Sequence, residues 1–386
     1  MTVGRYLVGV ALLCVMAGGA GFGAIGLRRA WLPGWGGAPA RLAEAVLALA
    51  LLLGVAYVMG SVGAFRPWAV GGAVFAVGLV AWAPAHIWGT GRFARRPGPR
   101  RASAPVKPPA GKGALVAAVA SACLFAQWWA FTAPALEHGM GNIDTLWYHA
   151  PFAARFVQEG WITRLAPTHP GLLPTFYPDN SELVHALAIL PFHRDVLAPL
   201  LNLGWLVLAV LAGWCVGRPY GAPAGTLLAA AIPLGTPVLA STQPGNATND
   251  VVVLALFMAA LALVTNAEGK RAPLALSCVA AGLAAGTKVT MVAPAFAVAL
   301  CAPWLAARGA RRSAAAWCAL GVIVFGGFWY LRNAVRAGSP VPPVHLHLGP
   351  ISFPTPAGLH TPPALDLTFA GLATRNHAWG LSLIHI

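Results

Sequence analysis

The side chains able to do chemistry are few and fall at a handful of places. The stretch 135–194 holds Asp144, Tyr148, His149 and Glu182. Asn249-Asp250 opens an apolar run, Gly286-Thr287-Lys288 interrupts another, and Arg332-Asn333 closes a third. Carboxylates and an imidazole can take or hold a proton, and a lysine or arginine can hold an anion. Plainer readings stand beside these. Asp144 and Asp250 each sit where a helix would begin, so either could be an N-cap, favoured by free backbone N–H groups. Ser181-Glu182 opens the short run 182–192 and has the same cap reading. Lys288 could face a partner or cavity, or it could snorkel to water. Arg332 could bind an anion or anchor the membrane interface, and a histidine among aromatics can simply be packed.

These residues are embedded in a chain of 386 residues in which 58% are apolar and only 9% charged. Soluble domains carry about 25% charged residues. The composition excludes a soluble enzyme, a disordered chain and a collagenous one, and it identifies an integral membrane protein. A net charge of +15 reflects basic membrane loops and not a nucleic-acid partner. The arginine-rich balance fits a GC-rich genome. The six cysteines (14, 123, 215, 278, 301 and 318) lie inside apolar runs without a CxxC, and read as small buried hydrophobes with no disulfide or metal framework.

A crossing helix needs about 20 mostly apolar residues. Candidates are 6–27, 42–65, 68–88, 113–134, 195–217, 221–241, 250–266 and 314–331. The stretch 273–306 is too long for one helix and carries Gly286-Thr287-Lys288 at its centre, so it reads as a hairpin of two short spans. The expected fold is therefore an all-α polytopic membrane protein with about ten transmembrane helices. The first span lacks a following cleavage site and reads as retained.

The loop 89–112 holds seven basic residues and no acid, which places it on the inner side. Alternation from there puts 16 of the 25 basic residues inside. Glu137, Asp144, Glu159, Asp179, Glu182, Asp195, Asp250 and Asp366 fall outside, so the outer face carries the polar chemistry. The organisation reads as a three-span unit over 1–88, a basic Pro-rich cytoplasmic linker over 89–112, a transmembrane core over 113–345 with its outer loop at 135–194, and an outer-face segment over 346–386. The closing LSLIHI has no polar ending and suggests a truncated gene model.

The outer loop is not linker-like. It contains Trp147, Tyr148, Phe152, Phe156, Trp161, Phe176 and Tyr177, residues that seat a segment at the interface. Residues 145–159 can form an amphipathic interfacial helix, with Tyr148, Phe152 and Phe156 four apart on one face. Arg155 is spaced to pair with Glu159 on that helix. His345 and His347 lie among prolines with no nearby acid, so they read as loop and not as a metal pair.

In order along the chain come Asp144-x-x-x-Tyr148-His149-x-Pro151, then Tyr177-Pro178-x-x-x-Glu182-Leu183, then Asn249-Asp250. Gly282-Leu283-Ala284-Ala285-Gly286-Thr287-Lys288, Trp329-Tyr330-Leu331-Arg332-Asn333 and Gly338-Ser339-Pro340-Val341 follow. This order resembles the GT-C superfamily of membrane glycosyltransferases, near the family 39-like branch of protein O-mannosyltransferases and aminoarabinose transferases. The resemblance covers about residues 113–345. The three N-terminal spans and the short C-terminal end depart from it.

The resemblance implies a polyprenyl-phosphate sugar donor and an acceptor protein, lipid or glycan. It implies transfer on the outer (periplasmic or extracellular) face of a bacterial cell membrane, with Asp144 as catalytic base. Tyr148, His149, Glu182, Asp250, Lys288 and Arg332 become candidate substrate-binding residues, with Lys288 first for the phosphate. No cofactor, metal or nucleic acid is expected. The alternative is a transporter or flippase for a lipid-linked or anionic substrate, which Lys288 at a helix break suits. A non-catalytic scaffold is the third reading.

Overall fold

The computed structural model describes residues 2–87, 111–165, 173–342, 346–348 and 351–353. Two compact units are present. The first comprises 1–164 and 178–328, and the second 165–177 and 329–386, each within its described residues.

In the first unit, α1 (Val3–Trp31) starts at Thr2, whose hydroxyl accepts from Arg5 N at 3.4 Å. It ends on Arg28 and Arg29, where cations complement the helix C-terminus. Then come α2 (Gly37–Ser61), α3 (Pro67–Ile87) and α4 (Gly111–His138). Helices α1 and α3 approach through Gly19, Gly23 and Gly78, where any Cβ would strike the facing backbone or a leucine. Close approach of small residues is the usual means of packing helices in lipid, where burial from water supplies no drive.

After α4 the chain makes a five-residue π-turn, Thr145–His149, that runs directly into α5 (Ala150–Glu159). Helix α6 (Asn180–Ile189) packs on α5. The core continues with α7 (Leu201–Gly217), α8 (Pro223–Leu234), α9 (Pro237–Thr242), α10 (Asp250–Thr265), α11 (Arg271–Ala285) and α12 (Val292–Cys301). Helix α13 (Arg311–Ala337) begins in the first unit and ends in the second. The strands β1 (Leu346–Leu348) and β2 (Ile351–Phe353) pair antiparallel, with His347 opposite Ser352. His345 and Asp366 lie outside the described residues.

The chain is thus a helical membrane protein, and the described parts of the apolar runs read as spans are mainly helical. The count of ten spans is not reached by length. Among the described residues, five helices are long and apolar enough to cross: Val3–Trp31, Gly37–Ser61, Gly111–His138, Ala198–Tyr220 and Arg308–Ala337. The other five apolar helices are shorter, such as Asp250–Thr265 and Arg271–Ala285. At 1.5 Å per residue, the 15 residues of α11 reach only about 22 Å, against about 30 Å of hydrocarbon.

The run 221–241, read as one span, is broken. Pro233, Gly235 and Pro237 end α8 and start α9, and the indole N–H of buried Trp128 donates to the Leu234 carbonyl at 3.0 Å. A second correction concerns the cysteines. Cys215, Cys278 and Cys318 are buried, but Cys14, Cys123 and Cys301 are exposed on helix faces. An apolar run in a membrane protein faces lipid as readily as it faces the core.

The stretch 273–306 does break at Gly286-Thr287-Lys288. Helix α11 ends at Ala285, Lys288 is extended, and a single 3₁₀ turn over Val289–Met291 leads into α12. Asn180, the first residue of α6, fixes this break. Its backbone N–H donates to the Gly286 carbonyl at 3.0 Å, and its amide Nδ2 to the carbonyls of Leu283 at 3.1 Å and Phe325 at 3.4 Å. The Tyr57 hydroxyl donates to its Oδ1. One buried side chain thereby joins α2, α6, α11 and α13. Tyr57 lies within 1–88, so the three helices before the basic linker share the first unit with the helices after it.

Candidate active site

Six of the seven residues singled out by sequence lie in the first unit: Asp144, Tyr148, His149, Glu182, Asp250 and Lys288. Asp144 is exposed and directly precedes the π-turn, but its carboxylate makes no cap bond. Asn142 does the capping instead, its Oδ1 accepting from the N–H of Asp144 at 2.9 Å and of Thr145 at 3.4 Å. The cap reading of Asp144 therefore fails: a nearer acceptor already holds those donors. Exposed Ile143, Leu146 and Trp147 flank the carboxylate, so it sits amid membrane-seeking side chains.

The Asn142–Thr145 segment is seated on the loop before α10. Asn142 N–H donates to Asn246 Oδ1 at 3.0 Å, and Ala247 N–H to Thr145 Oγ1 at 3.0 Å. Asn202 holds that loop from within α7. Its Nδ2 lies 2.8–3.0 Å from the carbonyls of Gln243, Asn246 and Thr248. On its other side, Arg66 donates to the carbonyls of Gln158 and Glu159 at 3.2 Å each, which fixes the end of α5 to the α2–α3 turn. Arg155 and Glu159 approach to 3.6 Å, as their spacing predicts.

Behind Asp144, the sequence-distant His149 and Glu182 form a buried pair, with Nδ1 on the carboxylate. Glu182 is in the first turn of α6, yet its carboxylate reaches across to His149 at the end of the π-turn and does not serve as a local cap alone. A carboxylate only accepts, so Nδ1 carries the proton and Nε2 is left as the acceptor. Burial lowers the His149 pKa from 6.5 to about 3; Asp144 and Asp250 oppose that shift, and Lys288 adds to it. Those three charges are therefore near enough to act on one imidazole. The Tyr148 ring leans on it with centroids 4.1 Å apart.

His185 follows Glu182 by one helical turn. It is buried, and neither ring nitrogen has a hydrogen-bond partner among the described residues. Burial lowers its pKa to about 3, and His149 adds to the shift. Buried polar atoms left without partners are rare and concentrate where function requires them.

Asp250 and Lys288 form an ion pair, each about one-fifth exposed. The cap reading of Asp250 fails for the same reason as that of Asp144. Gln243 Oε1 accepts from Val251 N–H at 3.2 Å, and Gln243 Nε2 donates to the second Asp250 oxygen at 3.1 Å. Lys288 thus faces a partner, and snorkelling is not needed to explain it. Sequence reasoning missed Asn142, Gln243, Asn180 and His185. Asn142 alone carried a local signal, an Asx residue ahead of a helix. Among the described residues no group of three or more His, Cys, Asp or Glu could hold a metal.

Arg332 belongs to the second unit. Its Nη2 donates to the carbonyls of Thr175 at 3.0 Å and Tyr177 at 3.1 Å, and the guanidinium lies 4.7 Å from the Trp329 ring centroid. Asn333 adds a bond to the Phe176 carbonyl at 2.8 Å. In this arrangement Arg332 clamps residues 175–177.

The depressed histidines make stability depend on pH. In the unfolded chain each imidazole protonates near 6.5, whereas in the folded protein each stays neutral to about 3. Between those values the unfolded state binds more protons. The stabilisation is thus full above about pH 6.5 and is lost as pH falls toward 3, by up to about 1.4 kcal/mol per pH unit for each ring. Thermal unfolding in detergent should show a midpoint that drops from pH 7.5 to 5, and His185→Leu should flatten that dependence. An equal slope in the variant would mean that His185 does not contribute.

No family model matches the chain, and no curated protein or solved structure matches it.

Proposed function

We propose that this chain is a membrane glycosyltransferase that moves a sugar from a polyprenyl-phosphate donor to an acceptor on the outer membrane face. The observation that carries the reading is Asp144: an exposed carboxylate relieved of capping by Asn142, ringed by membrane-seeking side chains and backed by polar groups. A base placed there suits a donor whose tail stays in the bilayer. The resemblance in residue order supports the same class.

In the proposed step, an acceptor hydroxyl oxygen attacks the anomeric carbon while Asp144 takes its proton. The bond between that carbon and the phosphate oxygen breaks, its electron pair leaves on the phosphate, and polyprenyl phosphate departs. Direct displacement of this kind inverts the anomeric centre. The leaving phosphate is anionic, and Lys288 is the cation offered to it. Its pairing with Asp250 holds that ammonium in place until an anion arrives. His149 and Glu182 would hold the π-turn that presents Asp144, and Tyr148 would offer a ring edge to the sugar.

The test is transfer of radiolabelled sugar from a polyprenyl-phosphate donor in sided vesicles from cells making the protein. Right-side-out vesicles should transfer externally added donor, and inverted vesicles should do so only after permeabilisation. The reverse sidedness would contradict the outer-face site.

One observation favours a second reading, a transporter of anionic or lipid-linked substrate. The Lys288–Asp250 pair lies at a break between two short helices, where transporters place ionisable residues. Label that crosses the bilayer still attached to lipid phosphate would select this reading over the first.

A further inference from the structure

The first unit also contains a cavity of about 530 Å³ bounded by α1, α2, α11 and α13. Its walls are apolar and include Trp31, Leu47, Ala275, Trp317 and Phe325. Among the described residues of its lining, Arg271 is the one that carries a charge. Arg271 opens α11, whereas Lys288 follows that helix's other end, so about 22 Å of helix separates this cavity's charged mouth from the ion pair. The apolar wall runs on from Arg271 to Val279 along α11 and from Trp317 to Phe325 along α13, about 12 Å in each case.

The mouth has an excess of positive charge. Arg28 and Arg29 end α1 beside it, and Arg311 and Arg312 open α13 next to Arg271, whose Nη1 lies 3.4 Å from Ser313 Oγ. The two acids at this end are already neutralised. Glu44 pairs with Arg28 and Arg41, and Glu268 with Lys270. Arg271 is exposed and, among the described residues, has only that long hydroxyl contact. The free N–H groups of the first turn of α11 add partial positive charge at the same point.

An apolar slot with an arginine at its mouth complements an anionic amphiphile. We propose that this cavity seats an acyl chain of an anionic bilayer phospholipid, with the lipid phosphate held by Arg271. Basic pockets between membrane helices recognise anionic headgroups in this way. The proposal does not depend on the transfer reaction, because Arg271 and the cavity lining share no residue with the Asp144 site.

The test is native mass spectrometry of the full chain, delipidated in detergent and then given phosphatidylglycerol or phosphatidylcholine. Retention of phosphatidylglycerol over phosphatidylcholine is expected. Arg271→Ala should cut that preference about fivefold, the worth of one basic residue near an anionic headgroup, while Arg271→Lys should keep most of it. Ala275→Phe, which fills the slot, should lower occupancy by both lipids, and its folding can be checked by its unchanged elution as a monodisperse peak. Equal retention of the two lipids by the unaltered protein would overturn the proposal. So would phosphatidylglycerol binding that neither Arg271→Ala nor Ala275→Phe changes.

Discussion

Asp144→Asn is expected to lower sugar transfer by at least about a hundredfold, the lower end of what a general base contributes, while leaving the fold intact. The two halves of this expectation rest on separate observations. The amide is nearly isosteric with the carboxylate but cannot accept the acceptor's proton. The carboxylate makes no cap bond, and Asn142 already satisfies the N–H groups of residues 144 and 145, so no structural bond is lost. Equal expression, equal elution and an unchanged thermal midpoint should therefore accompany the lost activity. Asp144→Glu keeps the base but displaces it by one methylene, and it should retain measurable transfer. If instead Asp144→Asn unfolds the protein, the residue is structural and the base must be sought elsewhere.

Gly286→Val is expected to leave little folded protein. A Cβ at residue 286 would overlap both the Asn180 amide nitrogen and the Phe325 carbonyl oxygen. The second of these is backbone on α13 and cannot rotate away. Moving Asn180 would break its bonds to Tyr57, Leu283 and Phe325, all of them in the interior. Overpacking costs about 1–3 kcal/mol, and each buried polar group left without its partner adds about 1–3 kcal/mol. Together these exceed about 3 kcal/mol, a large part of typical stability. Gly225→Ala is the control, since nothing lies within 4 Å of its added carbon. Thermal unfolding of purified protein should show the valine variant strongly destabilised or absent and the control unchanged. A valine variant as stable as the control would mean that the α6–α11–α13 junction is looser than described.

The same residues show what was legible in the sequence. Long apolar runs announced α1, α2, α4, α7 and α13, because crossing a bilayer forces both length and composition. The break at Gly286-Thr287-Lys288 was legible too, since a lysine cannot continue an apolar span without a partner. The partner itself was not legible. Asp250 lies 38 residues away from Lys288, and on spacing alone its position at a helix start favours a cap, a bond that Gln243 makes instead. His149 and Glu182 were both singled out, yet nothing local pairs residues 33 apart. Asn180 passed unnoticed because its role is wholly tertiary: Tyr57, 123 residues earlier, supplies one of its bonds. Sequence periodicity also misjudged 221–241, where three helix breakers close together outweighed the apolar composition.

These residues together make the site a prearranged one. Asn202 holds the 243–248 loop, that loop holds Asn142 and Thr145, and Asn142 frees Asp144. Asn180 meanwhile fixes the break that carries Lys288. Asp144 and Lys288 are thus placed by different polar anchors.

With Asp144 as the proposed base, a glycosyl–phosphate bond is broken beside it. The most direct measurement follows purified protein in liposomes with a polyprenyl-phosphate donor labelled in the sugar, a candidate acceptor fraction, and a matched Asp144→Asn preparation. Unlabelled polyprenyl phosphate should appear in step with labelled acceptor, and only with Asp144 intact. Label that stays joined to the lipid phosphate with both preparations, or equal transfer by both, would contradict it.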